Sequence, residues 1–511
     1  MDQLYNRTLA RDTFIQKHTP LQTIWECQYD LKMNTDPVLQ EVRQRTKLQF
    51  PTLAPTDGLY GARVELLQMF EENGQIDAID IVSLYPYICA TARYAVGWPE
   101  LILNNFVDLN RSQSYFGMIR LTMHPPFGLL HPVLPYRYNK KLYFTLCSSC
   151  VHEHANKCKH TRAERALRGT WVTSEVYEAL SQGYTYLNIE VVLHWLRTMK
   201  YDGKDSSTGQ FTSFLFKWLK LKIKSSGVPD GETAESLAAK YKHVFNILID
   251  PSEIRLNNAL GMLSKAIINS VWGKFGQNCA KIKVELVTNQ ARLQQIIAEC
   301  ILVNVRIVGG DQDPALLVHY RTLSDELEPP PFSSIIVAAQ TTAEARLLML
   351  RTYLRPLGER VLYTDTDSVI YKSKPGDWQP DTGPLLGQMT RETGEHERID
   401  SFVGCGLKNY AYRVRNDSTG AVHHKLRVRG FTLTPAVTQQ LNFETMRQQV
   451  LAYLSGIDSE PIAIRRQVIA RTATQQVVTR PEVKHWRVCA NKRYVISDTN
   501  GSTRPYGYER A

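Results

Sequence analysis

The stretch YTDTDSVIY, Tyr363 to Tyr371, sets two aspartates, Asp365 and Asp367, one residue apart between runs of β-forming residues. Side chains on a strand alternate with period two, so the two carboxylates are expected to share a face. At neutral pH they repel, and without a compensating cation the arrangement costs stability. A divalent metal meets that need, which predicts a further carboxylate elsewhere in the chain and a substrate that carries phosphate. Asp80 is the candidate: in IDAIDIVSLYPY it ends a β-like run just before a turn at Ser83 to Pro86. Backbone N–H groups of such a turn can lie beside the carboxylate, placing a metal site next to a phosphate-binding turn. Asp80, Asp365 and Asp367 together could hold two Mg²⁺ about 3.5–4 Å apart, the arrangement of in-line phosphoryl transfer. Taken alone, Asp80 reads equally well as a strand-end cap.

A second segment, KAIINSVWGKFGQN, puts Lys265, Asn269 and Gly273 on one face of a helix by the i, i+4 rule, with Trp272 at its border. A cation suits a triphosphate, and a residue without a side chain lets a base pair approach. An amphipathic helix with a solvated lysine explains Ile267 and Ile268, but it has no use for Asn269, Ser270 and Gly273, which are poor helix formers.

A third cluster is CSSCVHEHANKCKH, with Cys147, Cys150, Cys158 and His160 in one short loop and His152 and His154 as spare candidates. Four soft or borderline ligands suit structural Zn²⁺, and four leave no open position for catalysis. Uncoordinated thiols on a strand turn are the alternative.

These residues sit in a chain of 511 residues, enough for about two to four structural units. Hydrophobic residues make up 43%, ample for a large core, so a disordered tail is excluded. A net charge of +11 fits a polyanionic partner, either nucleic acid or an anionic membrane surface. No apolar run is long enough to cross a bilayer and the first residues lack a signal-peptide core, so a soluble intracellular protein is expected, with its compartment open. Most of the nine cysteines lie singly, which fits reduced thiols. Strand-like and helical stretches are interspersed without regular alternation, which favours α+β over a doubly wound sheet. Helices are expected at GTWVTSEVYEALSQGY with a Thr or Ser cap, at TAESLAAKYKHVFNIL and SEIRLNNALGMLSKAIINSVWGKFG, joined by a turn near Pro251, and as one long helix over AAQTTAEARLLMLRTYLRPLG, while QFTSFLFKWLKLKIK is a basic amphipathic stretch. The run DELEPPPF, residues 325–332, should break the chain, and NDSTG near 416 is a candidate hinge.

The segments DIVSLYP, KAIINSVWG and YTDTDS, in that order, resemble motifs A, B and C of family B DNA polymerases, and LKNYAY is similar to that family's primer-gripping Lys-x-Tyr element. DGLYGARVE, LKIKSSGVP, NKRYV and RPYGY look like the protein-primed branch, including polymerases of Polinton-type transposons and related viruses. The resemblance covers most of residues 20–508. It implies a right-hand fold: a remnant segment over 1–50, palm over 51–204 (with the cysteine-rich insert near 147–160) and 286–415, fingers over 205–285 and thumb over 416–511.

The resemblance also implies roles. Asp80 and Asp367 are the main metal ligands and Asp365 the companion carboxylate, for Mg²⁺ or Mn²⁺. Ser83, Leu84 and Tyr85 meet the nucleotide, with Tyr85 as the steric gate against a 2′-hydroxyl. Lys265 contacts the triphosphate, and Asn269 and Gly273 line the nascent base pair. Lys222 is a second triphosphate cation, a reading no stronger than a solvated helix face. Thr366, Lys408 and Tyr410 meet the primer. Basic residues from Arg465 to Arg493, interleaved with Trp486 and Tyr494, suit a thumb that follows the phosphate backbone. The implied partners are DNA primer-template, deoxynucleotides and a terminal protein, with no membrane.

The sequence departs from the family in four places, one of them the Ser-Ser of KSSGVP, which replaces a more acidic pair. Trp272 replaces a common Tyr, and Gly261 stands where an Arg is frequent. No Asp-x-Glu exonuclease motif precedes Asp80, while TIWECQYD, Thr23 to Asp30, looks like the segment that follows that domain. The expectation is a polymerase half of a longer ancestor, without proofreading. A catalytically inactive DNA-binding relative is the rival reading. A reverse transcriptase is disfavoured because its aspartates are adjacent, and a two-metal nuclease would have no use for Lys265, Asn269 and Gly273.

Overall fold

The computed structural model describes residues 2–17, 20–46, 53–229, 231–278, 281–308, 315–322, 333–472, 476–496 and 500–509. The proline-rich break expected at 325–332 lies outside them. The chain divides into two compact units, one of residues 1–52, 277–333 and 465–484, the other of 53–276, 334–464 and 485–511.

Eight antiparallel strands build the centre of the larger unit. They are β1 (Val64–Leu66), β2 (Phe70–Ile81), β3 (Val361–Asp365), β4 (Ser368–Lys372), β5 (Met389–Arg391), β6 (Glu397–Gly406), β7 (Asn409–Asn416) and β8 (Val422–Val428). The order is β1-β3-β4-β2-β6-β7-β8, with β5 also against β2. Pleating sorts their side chains onto two faces. Ile79, Ile81, Val369 and Tyr371 pack with Leu347 and Leu350 on one side. Ile76, Ala78, Tyr363 and Ile370 pack with Phe443, Met446 and Val450 on the other. A sheet covered on both faces reads as nearly continuous apolar runs, which is why alternation is faint here.

Around the sheet lie α1 (Leu84–Thr91), α2 (Thr173–Ser181), α3 (Thr212–Ser226), α4 (Ala234–Phe245), α5 (Asn258–Phe275) and α6 (Ile335–Leu348). A second sheet takes its strands, in spatial order, from Glu100–Ile102, Thr185–His194, Gly117–His124 and Leu167–Val172. The smaller unit has helices Asp2–Gln16, Glu26–Thr35 and Pro37–Thr46 and a three-stranded sheet of Lys283–Val287, Ala315–Thr322 and Cys300–Val308. Its core includes Ile15, Leu293, Ile296, Val305 and Val318.

Several local expectations need correction. Helix α2 has Val172 at its N-cap with no side-chain cap bond. The hydroxyl of Thr173 accepts the Gly117 N–H at 3.1 Å instead, serving the neighbouring sheet. Helix α5 starts at Asn258, because Pro251–Glu253 form a tight 3₁₀ turn and Asn257 caps the helix by accepting the Leu260 N–H at 3.1 Å. The long helix passes from α6 into a π-helical segment, Met349–Leu354. NDSTG is a hairpin turn, not a hinge: the Asn416 N–H donates to the Ala421 carbonyl at 2.8 Å and β8 returns into the same sheet.

One buried ion pair ties three segments of this unit together. Arg346 of α6 donates to Glu175 of α2 at 2.9 Å, with 3% and 0% of the side chains exposed. The same guanidinium donates to the carbonyls of Tyr60 and Gly61, both at 2.8 Å. Removing one partner of a buried pair strands the other charge. Glu175→Ala is therefore expected to lower unfolding free energy by about 3–5 kcal/mol, read from the denaturant midpoint; an unchanged midpoint would contradict this role.

Candidate active site

Strand pairing brings the three aspartates together. Ser368 of β4 is directly opposite Asp80 of β2, and Asp365 is opposite Ser368 in the β3–β4 hairpin. Paired Cα atoms in antiparallel strands are about 4.5–5.5 Å apart. The Ile81 N–H donates to the Asp367 carbonyl at 2.9 Å, which fixes the hairpin turn beside the end of β2. Strand alternation does not juxtapose Asp365 and Asp367, as the sequence suggested. They flank a tight turn in which Thr366 has φ +65° and the Asp367 N–H reaches the Asp365 carbonyl at 2.7 Å.

The electrostatics show a deficit of positive charge. Burial first, then Asp367 and Glu392, push Asp80 up to about 7, with Lys265 pulling the other way. Asp367 is also raised, by burial and then by Asp365, against its own backbone N–H, Lys408 and Lys265. The donors are all carboxylate oxygens, the chemistry that hard divalent cations require.

A set of cationic, hydroxyl and aromatic groups lies beside them. After Asp80 the chain turns through Ser83, at φ +54°, which is the N-cap of α1 yet makes no side-chain cap bond. Its hydroxyl instead accepts Lys222 Nζ at 3.0 Å. The first N–H groups of α1 are therefore left for an anion, which the helix dipole also favours. Leu84 can offer only its N–H, since its side chain is 1% exposed. Lys222 is partly buried, and burial, followed by Lys265, lowers it to about 8. Lys265, Asn269 and Gly273 are exposed on α5, while Ser264 and Ile268 are buried. Tyr85 packs on Trp272 with ring centroids 4.5 Å apart, and burial pushes its hydroxyl up to about 12.

On the other side of the turn, Lys408 at φ +57° closes the β6–β7 hairpin. Its Nζ donates to both oxygens of Asp365, at 2.7 and 2.8 Å. Its backbone N–H reaches the Tyr363 hydroxyl at 2.9 Å, and that hydroxyl donates to Asp365 at 3.3 Å. Tyr410 lies 4.7 Å from Tyr363, ring to ring. The Thr366 hydroxyl donates to Asp365 at 3.1 Å. All thirteen residues expected at the catalytic, nucleotide and primer positions thus fall in the larger unit.

Glu392 was not read from the sequence. It follows β5, donates its N–H to the Ala78 carbonyl at 2.9 Å and accepts the Tyr412 hydroxyl at 2.8 Å. Nothing in RETGEHER distinguishes it from its acidic neighbours; only the pairing of β5 with β2 does. Arg493 was misplaced by sequence reasoning. It is 3% exposed and donates to Glu65 at 3.1 Å, so it cannot follow a phosphate backbone, and Trp486 likewise is core.

The ligand atoms of Cys147, Cys150, Cys158 and His160 all lie within 4.8 Å of one another. His160 Nδ1 is 3.5, 3.3 and 3.7 Å from the three sulfurs, and its Nε2 faces Glu153 at 3.1 Å. His152 is outside the group, stacked 4.1 Å from Tyr138 with its Nε2 at 2.9 Å from the Tyr136 hydroxyl. His154, in a left-handed conformation at the end of the same short helix, is also outside it.

Among the described residues no helix is long and apolar enough to cross a membrane. Residues 57–249 match the family described as DNA polymerase type B, organellar and viral. No curated protein gives a significant match. The fold is similar to Phi29 DNA polymerase with primer-template DNA and incoming nucleotide substrates, at TM-score 0.54 and 14% identity over 92% of this chain and 74% of that one. The Phi29 binary complex with primer-template DNA gives 0.52 and 14%, over 91% and 74%. An orthorhombic crystal form of the Phi29 enzyme gives 0.54 and 15%, over 92% and 75%. The fold is thus α+β in the right-hand polymerase arrangement. Residues 57–249 thus carry the sequence pattern of the organellar and viral type B DNA polymerases, on a right-hand polymerase fold.

Proposed function

We propose that the chain extends a DNA primer 3′-hydroxyl with deoxynucleotides on a DNA template, using two Mg²⁺, or Mn²⁺, held by Asp80, Asp365 and Asp367. The observation that carries this reading is the pairing of Ser368 with Asp80, which sets three carboxylates beside two lysines and a free helix N-terminus. When bound, the cations lower the pKa of the attacking hydroxyl and neutralise the leaving pyrophosphate.

The protein's own groups bind and orient. Lys222, Lys265 and the first N–H groups of α1 hold the triphosphate, with Ser83 fixing the Lys222 ammonium. Tyr85, braced by Trp272, packs under the sugar and leaves no room for a 2′-hydroxyl. The exposed face of Asn269 and Gly273 lines the nascent base pair. In the free protein Lys408 neutralises Asp365; with primer present, Lys408, Tyr410 and Thr366 hold the terminal phosphates. Helices α3 to α5 act as fingers and the eight-stranded sheet as palm. Catalysis then rests on positioning and charge neutralisation.

Cys147, Cys150, Cys158 and His160 hold a structural Zn²⁺ in this reading. The donor set contains no carboxylate, and a tetrahedral ion with bonds of about 2.0 Å to nitrogen and 2.3 Å to sulfur sets N and S about 3.5 Å apart, close to the His160 contacts of 3.3 to 3.7 Å. Glu153 on the far ring nitrogen fits the carboxylate–histidine pairing common in such sites. We further read the protein as a protein-primed replicase of a viral or transposon-like DNA. Extension from a DNA primer, with and without a candidate terminal protein, tests the priming mode.

Asp367→Asn is expected to reduce single-turnover incorporation by roughly 10³-fold or more, about 4 kcal/mol of barrier, with primer-template binding by anisotropy little changed. Normal extension by that variant would refute the site. Tyr85→Ala should raise ribonucleotide use relative to deoxynucleotide by about a hundredfold, measured as a ratio of kcat/KM; an unmoved ratio would remove the gate from Tyr85. Lys222 is protonated below about 8 and neutral above, so its hold on the triphosphate fades as pH rises. Deoxynucleotide kcat/KM should fall about tenfold between about pH 7 and about pH 9. Lys222→Arg, whose guanidinium stays charged, should flatten the profile, and an identical profile would exclude Lys222 as the source.

A further inference from the structure

We propose that residues 488–496 and 500–508 form a strap that positions the primer-gripping turn at Lys408, with its far end anchored by the metal knuckle of Cys147 to His160. The inference rests on the zinc and primer-grip readings above and adds a physical link between them.

The near end of the strap lies two residues from Leu407-Lys408. The Cys489 N–H donates to the Cys405 carbonyl at 2.8 Å, and Gly406 bridges to Cys489. Gly406 has φ +143°, and a Cβ there would lie 2.5 Å from the Cys489 carbonyl oxygen. The contact is backbone on backbone, so motion of the strap passes directly to the turn that presents Lys408 to Asp365.

The middle is pinned by a buried charge. Arg493 donates to Glu65 at 3.1 Å and to the Thr503 hydroxyl at 3.0 Å. Glu65 also accepts from Arg63 at 2.9 Å, and the Arg63 carbonyl accepts the Thr366 N–H at 2.9 Å. The strap folds back on itself where Tyr494–Val495 pair with Thr503–Arg504. The Thr503 N–H then reaches the Leu67 carbonyl at 2.7 Å.

The far end ends on the knuckle itself. The Tyr506 carbonyl accepts both the Leu146 N–H and the Thr145 hydroxyl at 2.9 Å. Gly507, at φ +82°, has no room for a side chain: a Cβ would lie 2.4 Å from Cys147 Cβ and 2.8 Å from Cys147 N. Cys147 is the first ligand of the group, so the loop that the metal orders is the surface on which Gly507 closes. Without metal, Cys147 keeps its burial and its backbone bonds to Thr145 at 3.0 and 3.2 Å but loses its cross-link to Cys158 and His160, so the stop on which Gly507 closes is looser.

The test compares the zinc-loaded full chain, the same chain after zinc chelation with Mg²⁺ restored, and Gly507→Ala. Three quantities are read: bound zinc, amide hydrogen exchange over 500–508, and KM for primer-template against kcat. One zinc per chain is expected. Chelation should speed exchange over 500–508 about tenfold and raise primer KM about tenfold, with kcat little changed. Gly507→Ala should weaken zinc retention about tenfold and raise primer KM in the same direction even at saturating zinc. A chain that binds no zinc sinks the metal reading, and the metal anchor with it. A chain that binds zinc, yet shows unchanged exchange and unchanged primer KM on chelation and in Gly507→Ala, sinks the strap while leaving the zinc reading in place.

Discussion

Repulsion of the partly dehydrated Asp80 carboxylate, at the end of β2, by Asp367 and Glu392 is the interaction on which this structure turns. A protein selected for stability alone would separate these groups or match each with a lysine. Here Asp80 is pushed up to about 7 by burial and by its acidic neighbours. Lys408 is committed to Asp365, and Lys265 stands exposed on a helix. The balance lacks positive charge at the place where a triphosphate and metal ions would supply and share it.

The fold reads as the apparatus that enforces this repulsion. A sheet packed on both faces cannot slip its register without exposing core, and its register sets Ser368 against Asp80. Three non-glycine residues at the site, Ser83, Thr366 and Lys408, adopt left-handed backbone. Such conformations cost about 1–3 kcal/mol each and persist where surrounding structure over-determines them. Each marks a tight turn that aims a functional group: Ser83 starts α1, Thr366 parts the two aspartates, and Lys408 closes the β6–β7 hairpin. Strain and charge crowding are concentrated in the same few residues.

Much of the site was legible in the sequence because chemistry constrains residue type at short spacing. Like charges one residue apart, a lysine, amide and glycine at helical spacing, and a Cys-x-x-Cys followed by Cys-x-His carry meaning without coordinates. Long-range pairing was not legible. Glu392 depends on β5 meeting β2, and the strap depends on Arg493 finding Glu65 across more than four hundred residues of chain. A basic run read as a phosphate-binding surface concealed a buried arginine, since composition cannot tell a solvated cation from a paired one. The helix start at Asn258 and the hairpin at Asn416 were misread for a related reason: cap and turn chemistry at single asparagines overrode the periodic pattern.

The shared cation site can be measured most directly by titrating Mn²⁺, followed by its paramagnetic resonance, into the protein with primer-template and a non-hydrolysable deoxynucleotide. Binding that is lost in Asp80→Asn and in Asp367→Asn alike is the predicted result, since each aspartate would hold ions the other also needs. Mn²⁺ binding that survives in both variants at wild-type affinity would contradict the account.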